Sequence, residues 1–376
     1  MEENIKSSIN LSSENIIFFV FCALSATVII IFFIVLNSSK NSVTALCNDI
    51  NDMPPKNLLP ISMSDDYKKP VNFYYIKTSY NCCSLGDYVG DYVGLCILEK
   101  IISQGVRCFD FEIFNLNNNA IISTSTVTNT RTKETMNDIL FLDAMETLTS
   151  KAFNSLYCSN YTDPLFINLR MKTNNIDIFN NIASTFAKYD NKYFLNINQS
   201  YMYNDNNFCA ITPLNSLLNK IIVIVNSSNT DLENSDLKSY VNVFTGPSAS
   251  NVKQQPFNAI KVENKDELIT FNKLKTTFVS PSVSNGTPIN PDPAFCFKLG
   301  NQFIGMAFQI RDNNLEVYQN FFDEYKHAFI MKNSSLLPNA TILNISVPDE
   351  SSNPNKCNQI KMGDVVVSEF GSGCGK

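Results

Sequence analysis

Residues 105–114 read Gly-Val-Arg-Cys-Phe-Asp-Phe-Glu-Ile-Phe. The glycine stops a helical pattern over residues 91–103, and residues 108–114 form a β-rich run directly behind it. Helix, stop and strand in quick succession are the building unit of an α/β sheet. The same alternation continues on both sides. Upstream, residues 73–79 (FYYIKTS) are a strand candidate. Downstream come a strand over 120–124, a helix over 136–152 and a strand over 165–169. A helix follows over 176–189, with Phe179, Ile182, Ala183 and Phe186 at i, i+3, i+4 and i+7. Residues 221–225 (IIVIV) have the composition of a fully buried strand, and 240–244 and 303–309 add two more. Strands alternating with helices over roughly 270 residues predict a parallel α/β sheet, and the length suits a (β/α)8 barrel of TIM type. A doubly wound sheet is the rival, but no glycine-rich phosphate fingerprint follows the first strand.

The chain has 376 residues with a net charge of −6, eleven cysteines and no tryptophan. A mildly acidic chain lacks the basic stripe that nucleic acid requires, so a nucleic-acid partner is excluded. It has a single histidine, His327. That excludes imidazole acid–base pairs and multi-histidine zinc sites within one chain, and leaves a serine–histidine–acid triad only through His327. Beside Lys326, that residue reads as surface rather than catalyst.

Residues 16–36 (IIFFVFCALSATVIIIFFIVL) carry no charge and are long enough to cross a bilayer. A cleaved signal peptide would have a basic leader, a shorter apolar run and a small-residue cleavage site. Here the leader over residues 1–15 is polar and slightly acidic, and Asn37-Ser38-Ser39-Lys40 is a poor cleavage signal. The reading is an uncleaved transmembrane anchor, so the membrane itself is a partner through residues 16–36. Residues 37–69 are polar, contain Pro54-Pro55 and read as a juxtamembrane linker. A single domain over 70–338 and a polar tail over 339–376 complete the chain. Lys6 and Lys40 flank the span and leave its orientation undecided. Sequons at Asn37, Asn160, Asn198, Asn226, Asn285, Asn333, Asn339 and Asn344 carry no weight, because roughly one residue in seven is asparagine. Ten cysteines follow Cys22, an even number that leans towards a type II topology with the domain outside the cytosol.

Several stretches together resemble the eukaryotic-type phosphoinositide-specific phospholipases C, in their X and Y catalytic halves. Thr78-Ser79-Tyr80-Asn81-Cys82-Cys83-Ser84-Leu85 is similar to the family's Ser-Ser/Thr-His-Asn-x-Tyr/Ser-Leu. Residues 105–112 resemble Gly-Cys-Arg-Cys-x-Glu-x-Asp. Pro164-Leu165-Phe166-Ile167-Asn168-Leu169-Arg170 resembles the strand ending Leu-Glu-Asn-His. In the Y half, Gly300-Asn301-Gln302-Phe303-Ile304-Gly305-Met306-Ala307-Phe308-Gln309 is similar to Gly-Cys-Gln-x-Val-Ala-Leu-Asn-Phe-Gln. Phe321-Phe322, residues 328–332 and Leu336-Leu337 follow the closing segment. The resemblance spans residues 71–338 and implies a distorted (β/α)8 barrel, here preceded by a single transmembrane helix.

In that family a calcium ion activates the inositol 2-hydroxyl and screens the phosphate, while two histidines stabilise the phosphorane and protonate the leaving oxygen. Position by position, the resemblance puts Tyr80 and Ser125 where the two histidines stand. Asn81, Asp110, Glu112 and Arg170 take the metal-ligand positions, and Phe278 and Ser280 replace the arginine and tyrosine of the substrate-phosphate motif Ser-Arg-x-Tyr-Pro. A guanidinium at Arg170, with Lys172 behind it, would pair with Asp110 and Glu112 in place of calcium. Losing one general acid or base typically costs about 10²–10⁴-fold, so two losses and the metal leave little.

The expectation is therefore a membrane-anchored barrel without turnover and without a metal cofactor, acting as an interaction or structural module for a partner the sequence does not name. The rival from the enzyme class is a divergent phosphoric diester hydrolase using Asn81, Asp110, Glu112 and a divalent metal. A third reading is a phosphoinositide headgroup binder without turnover. The Asn- and Ile-rich, Trp-free composition matches an AT-rich genome, such as that of a large DNA virus, a protist or a slime mould; in a virus the anchor would sit in the virion membrane.

Overall fold

The structure is a computed structural model. It describes residues 13–50, 53–126, 131–227, 230–246, 249, 251–260, 264–338, 359–362 and 365–368. The chain divides into two units at Leu337/Pro338. Of the second unit Pro338 and a hairpin are described, Gln359–Met362 against Val365–Ser368, with Gln359 opposite Ser368. Cys357 and Cys374 lie outside the described residues, as does most of the predicted 339–376 tail.

The first unit is built on eight parallel strands: β1 (Tyr74–Ser79), β2 (Cys108–Leu116), β3 (Leu165–Met171), β4 (Ile221–Asn226), β5 (Val241–Phe244), β6 (Val252–Pro256), β7 (Thr276–Ser280) and β8 (Phe303–Met306). Their order is β5-β4-β3-β2-β1-β8-β7-β6, so the sheet curls into a barrel with one open seam between β5 and β6. Thr245 bridges that seam, its hydroxyl donating to Gln254 Oε1 at 3.2 Å. Seven helices are used below: α1 (Ser13–Ile50), α2 (Leu95–Ser103), α3 (Phe141–Lys151), α4 (Ile176–Ala187), α5 (Lys265–Leu274), α6 (Pro293–Lys298) and α7 (Asn313–Tyr325). Phe329–Met331 closes the fold by pairing antiparallel to β1.

Side chains alternate across each strand and so divide into two cores. Facing the helices lie Phe109, Phe111, Ile167, Leu169, Val223 and Val225. Inside the barrel lie Tyr74, Ile76, Cys108, Phe166, Ile222 and Phe303. By the same alternation, Asp110 and Glu112 of β2 and Asn168 and Arg170 of β3 point inward. The register pairs Cys108 with Phe166, Asp110 with Asn168, and Glu112 with Arg170. Layer by layer, the interior passes from apolar at the N-terminal end of the strands to ionic at the C-terminal end, the barrel mouth.

Several elements differ from the sequence expectation, each for a physical reason. The helix that begins in the apolar span runs on to Ile50, through the first part of the expected 37–69 linker. Val43, Leu46, Cys47 and Ile50 fall at i, i+3, i+4 and i+7 and pack on the outer core, a stripe too short to stand out in a polar stretch. The helix expected from residue 91 starts at Leu95, because Val93 is held in a bridge with Ser84. It ends where Gly105 takes φ +73°, a left-handed turn at which a Cβ would lie 2.7 Å from Leu58 Cδ1, so only glycine fits. The helix expected from 136 starts at Phe141, after Ile139–Leu140 pairs with the strand Asn119–Ser123. The strand expected over 303–309 stops at Met306, since the Ala307 N–H turns to Asn290 Oδ1 at 2.7 Å. Strands β6 and β7 lie outside the expected set, because VKQQP and TTFVS lack an apolar run. Among the described cysteines there is one disulfide, Cys47–Cys96. Cys82, Cys83, Cys108, Cys158, Cys209 and Cys296 are free and buried.

Candidate functional site at the barrel mouth

Arg170 projects from the last turn of β3 into the barrel, where three elements converge on it. Its Nε donates to both oxygens of Asp110, at 3.2 and 3.0 Å, and Nη2 donates to Asp110 Oδ1 at 3.0 Å. Nη1 donates to Glu112 Oε1 at 2.9 Å, and Nη2 also to Asn81 Oδ1. The guanidinium is stacked on Tyr80, with Cζ 4.2 Å from the ring centroid. Lys172, just beyond β3, adds an ammonium 3.0 Å from Glu112 Oε1. Two carboxylates and two cations thus form a closed, neutral cluster with 11% of the Arg170 side chain exposed. Burial works against the guanidinium's charge, but Asp110 and Glu112 outweigh it and hold Arg170 well above its ordinary pKa. Burial pushes the Asp110 carboxyl up, and Arg170 pulls it back.

The surrounding groups fix the cluster in place. Asp110 Oδ1 also accepts the Asn81 N–H at 3.0 Å, and Oδ2 accepts from Asn168 Nδ2 at 2.7 Å. Asn81 is held at φ 46°, a left-handed conformation that asparagine tolerates better than most residues. The Ser125 N–H donates to Glu112 Oε2 at 2.9 Å and its hydroxyl to Oε1 at 3.4 Å. Burial pushes the Tyr80 phenol up, with the Ser280 hydroxyl in hydrogen-bonding reach. Phe278 lies beneath, 6.3 Å from the Tyr80 ring and stacked on Phe303. Gly305 of β8 makes room for both aromatics: a Cβ there would lie 3.1 Å from Phe278 Cε1 and from Tyr80 Cβ. Above the cluster opens a cavity of about 550 Å³, lined by Tyr88, Arg131, Lys172, Asn226, Gln255 and Ser280 among others.

The structure therefore brings together Tyr80, Asn81, Asp110, Glu112, Ser125, Arg170 and Ser280 at one mouth, with Phe278 just below. His327 sits apart, at the N-terminal end of β1, its Nδ1 2.9 Å from the Leu59 carbonyl oxygen.

Residues 67–227 match the sequence profile of the phosphatidylinositol-specific phospholipase C X domain. The match covers residues 67–227, and the barrel built on it has a phospholipase-C-like fold. The crystal structure of L. pealei PLC21 superposes on this barrel with a TM-score of 0.59 at 14% identity, covering 77% of this chain and 40% of that one. That of S. officinalis PLC21 does so with a TM-score of 0.57 at 14% identity, over the same shares. At this identity the superpositions carry the fold, and the chain spans about two fifths of the length of either structure. No curated protein matches the sequence.

In a phospholipase-C-like barrel the resemblance places calcium among Asn81, Asp110, Glu112 and the residue at 170. Calcium takes six to eight oxygen ligands. Here the oxygens of those side chains are turned onto N–H donors of Arg170, so the residues present do not fit the ion. Among the described residues no group of three or more His, Cys, Asp or Glu side chains is poised to hold a metal. Sequence reading missed Asn168 and Tyr88. The first was legible only from the β2–β3 register. The second sits in the loop after β1, in the wall of the cavity, with a buried phenol pushed up by that burial.

Proposed function

We propose that this phospholipase-C-like barrel does not hydrolyse phosphodiesters and serves as an interaction module tethered to a membrane. One observation carries the reading: the Arg170 guanidinium occupies the seat among Asn81, Asp110 and Glu112 that a catalytic cation would need. Tyr80 and Ser125 add to it. A phenol pushed up by burial and a serine hydroxyl cannot replace two imidazoles as proton donors near neutral pH. A calcium-dependent assay of the full chain on vesicles of phosphatidylinositol and its phosphates should give no turnover above background. Turnover that Asp110→Ala abolishes would overturn the reading in favour of a divergent diester hydrolase.

The tether is α1, whose stretch Ile16–Ile34 is apolar enough to span a bilayer and exposes its large apolar side chains. A signal sequence passes the same test of length and composition. An uncleaved span is supported by the unbroken helix beyond it and by the packing of its far end on the barrel. The Cys47–Cys96 disulfide supports a type II topology, since disulfides persist in oxidising compartments. A second reading, binding of a phosphoinositide headgroup without turnover, is favoured by Arg131 and Lys172 in the lining of the mouth cavity. Flotation of the full chain on vesicles with and without phosphoinositides does not separate this from simple anchoring. Protection of Lys172 from chemical modification by a soluble inositol phosphate does: unchanged labelling rules the headgroup reading out.

A further inference from the structure

The helix that crosses the membrane does not end at the membrane. α1 continues to Ile50, and its last two turns are seated on the barrel through Val43, Leu46, Cys47 and Ile50. Two further contacts fix where. Cys47 is disulfide-bonded to Cys96, and Arg311 Nη2 donates to the Asp49 carbonyl oxygen at 2.8 Å. Cys96 is the second residue of α2, which follows β1 and so starts at the mouth end of the barrel. Arg311 lies in the turn between β8 and α7, at the same end.

Beyond Ile50 the chain descends to the opposite end. The Lys56 N–H donates to the carbonyl of Ser103, the last residue of α2, at 2.9 Å. Lys56 Nζ pairs with Asp323 in the last turn of α7 at 2.6 Å, and the Leu59 N–H reaches Lys326 O at 2.7 Å. A chain that enters at the mouth and then runs to the base must have its upstream helix leaving from the mouth. From Ile34 to Cys47 the rise is only ~20 Å, at 1.5 Å per residue.

We propose that the lower part of α1, locked by Cys47–Cys96, is a covalent strut that holds the barrel mouth towards the bilayer its own helix crosses. The interaction surface is then the mouth rim, and its partner is the lipid headgroup layer of that bilayer. The rim has apolar side chains to present there: Val89, Met136, Val283 and Ile289 are all exposed. They sit on loops tied to one another, with Tyr88 N–H on Gly286 O at 2.9 Å and Met136 N–H on Asp91 O at 2.8 Å. Leu156 and Tyr157, near the base, are exposed as well, so the strut carries the assignment and the rim agrees with it.

The inference rests on α1 being an uncleaved span. Its test uses the full chain in phosphatidylcholine vesicles doped with a nitroxide-headgroup lipid. A fluorescent amino acid is placed at Asn285, the hairpin tip of the rim, or at Ser216, an exposed residue ahead of β4 at the base. The expected result is several-fold stronger quenching at 285 than at 216, with the ratio falling towards one in Cys96→Ser. Equal or reversed quenching in the wild-type chain overturns the orientation. A ratio unchanged by Cys96→Ser overturns the role of the disulfide. The mass of the vesicle-bound chain separates the two levels: a chain cleaved before the barrel overturns the anchor itself, whereas an intact chain with equal quenching overturns only the strut.

Discussion

Two arginines sit at opposite ends of this barrel, Arg107 just ahead of β2 and Arg170 on β3. Arg107, at the base, is fully buried ahead of β2. It donates to the carbonyl oxygens of Ala152 and Asn160 and to Cys158 Sγ, all neutral acceptors. Arg170, at the mouth, donates to two carboxylates and an amide. The first ties the backbone of the loop after α3 to the start of β2. The second stands where the family motif has a different residue, and it consumes the acceptors that a cation would use. One arginine binds backbone together, while the other takes up the side-chain acceptors of the mouth.

The largest expected effect is the loss of the mouth arginine. Arg170→Met leaves Asp110 and Glu112 buried against Lys172 alone. Removing one partner of a buried ion pair costs about 3–5 kcal/mol, which urea unfolding at pH 7 would read. The pH dependence has a definite sign. Burial already raises the Asp110 carboxyl, and without Arg170 only its hydrogen bonds from Asn81 and Asn168 oppose that. A carboxyl whose folded pKa is raised stabilises at low pH and loses that contribution as pH rises. The variant should therefore recover stability towards pH 5, and a cost that is flat between pH 5 and 7 breaks the ion-pair account.

At the base, the corresponding test is a titration rather than a deletion. Asp163 accepts the Ile61 N–H at 2.7 Å and Asn160 Nδ2 at 3.0 Å, and burial pushes its carboxyl up to about 6. The rise of about two units, at about 1.4 kcal/mol each, amounts to ~3 kcal/mol present at acid pH and lost as pH rises from 4 through 6. Asp163→Asn should remove that slope from the unfolding profile while leaving the mouth variant's pH response intact. If both slopes vanish together, the two ends are not independent. A slightly smaller effect sharpens the mouth's identity. Arg170→Glu replaces the guanidinium with a third carboxylate beside Asn81, Asp110 and Glu112, the donor chemistry calcium prefers. Calcium at a hundredfold excess over its Kd should then add about 2.7 kcal/mol, whereas the wild-type chain should not change. Thermal unfolding with and without calcium reads both, and stabilisation of the wild type would sink the claim that its mouth is closed to metal.

The barrel was legible because its inner strands are apolar runs between helical patterns, as in residues 108–114 and 221–225. The strands that escaped, β6 and β7, mix Val252, Phe278 and Val279 with lysine, glutamines and threonines, so neither has an apolar run. The lower part of α1 escaped because its four-residue stripe is flanked by serines and asparagines. At the site, the aligned motifs named Tyr80, Asn81, Asp110, Glu112, Ser125 and Arg170. What they could not supply was register: that Asp110 faces Asn168 and Glu112 faces Arg170 follows only from how β2 and β3 pair. Gly305 shows the same gap from the other side. It looks unremarkable in the sequence, yet its missing Cβ is the space into which Tyr80 and Phe278 fit.

The smallest expected effect is the most discriminating between fold and chemistry. Tyr80→His with Ser125→His would return both imidazoles to the mouth of a barrel that already has the right architecture. If the histidines were the whole of what is missing, hydrolysis of phosphatidylinositol would reappear. The geometry predicts that it does not. Arg170 would still fill the seat between Asp110 and Glu112, and an imidazole at position 80 would stand against the same guanidinium that now stacks on the Tyr80 ring at 4.2 Å. A fixed positive charge at that distance disfavours the protonated imidazole that charge stabilisation requires. The double variant should also lose the cation–π contact, worth about 0.5–2 kcal/mol, and so be slightly less stable without being more active. Combining it with Arg170→Glu in calcium is then the informative step. Activity that appears in the triple variant and in neither parent would show that the arginine, more than the absent histidines, separates this barrel from a working diesterase.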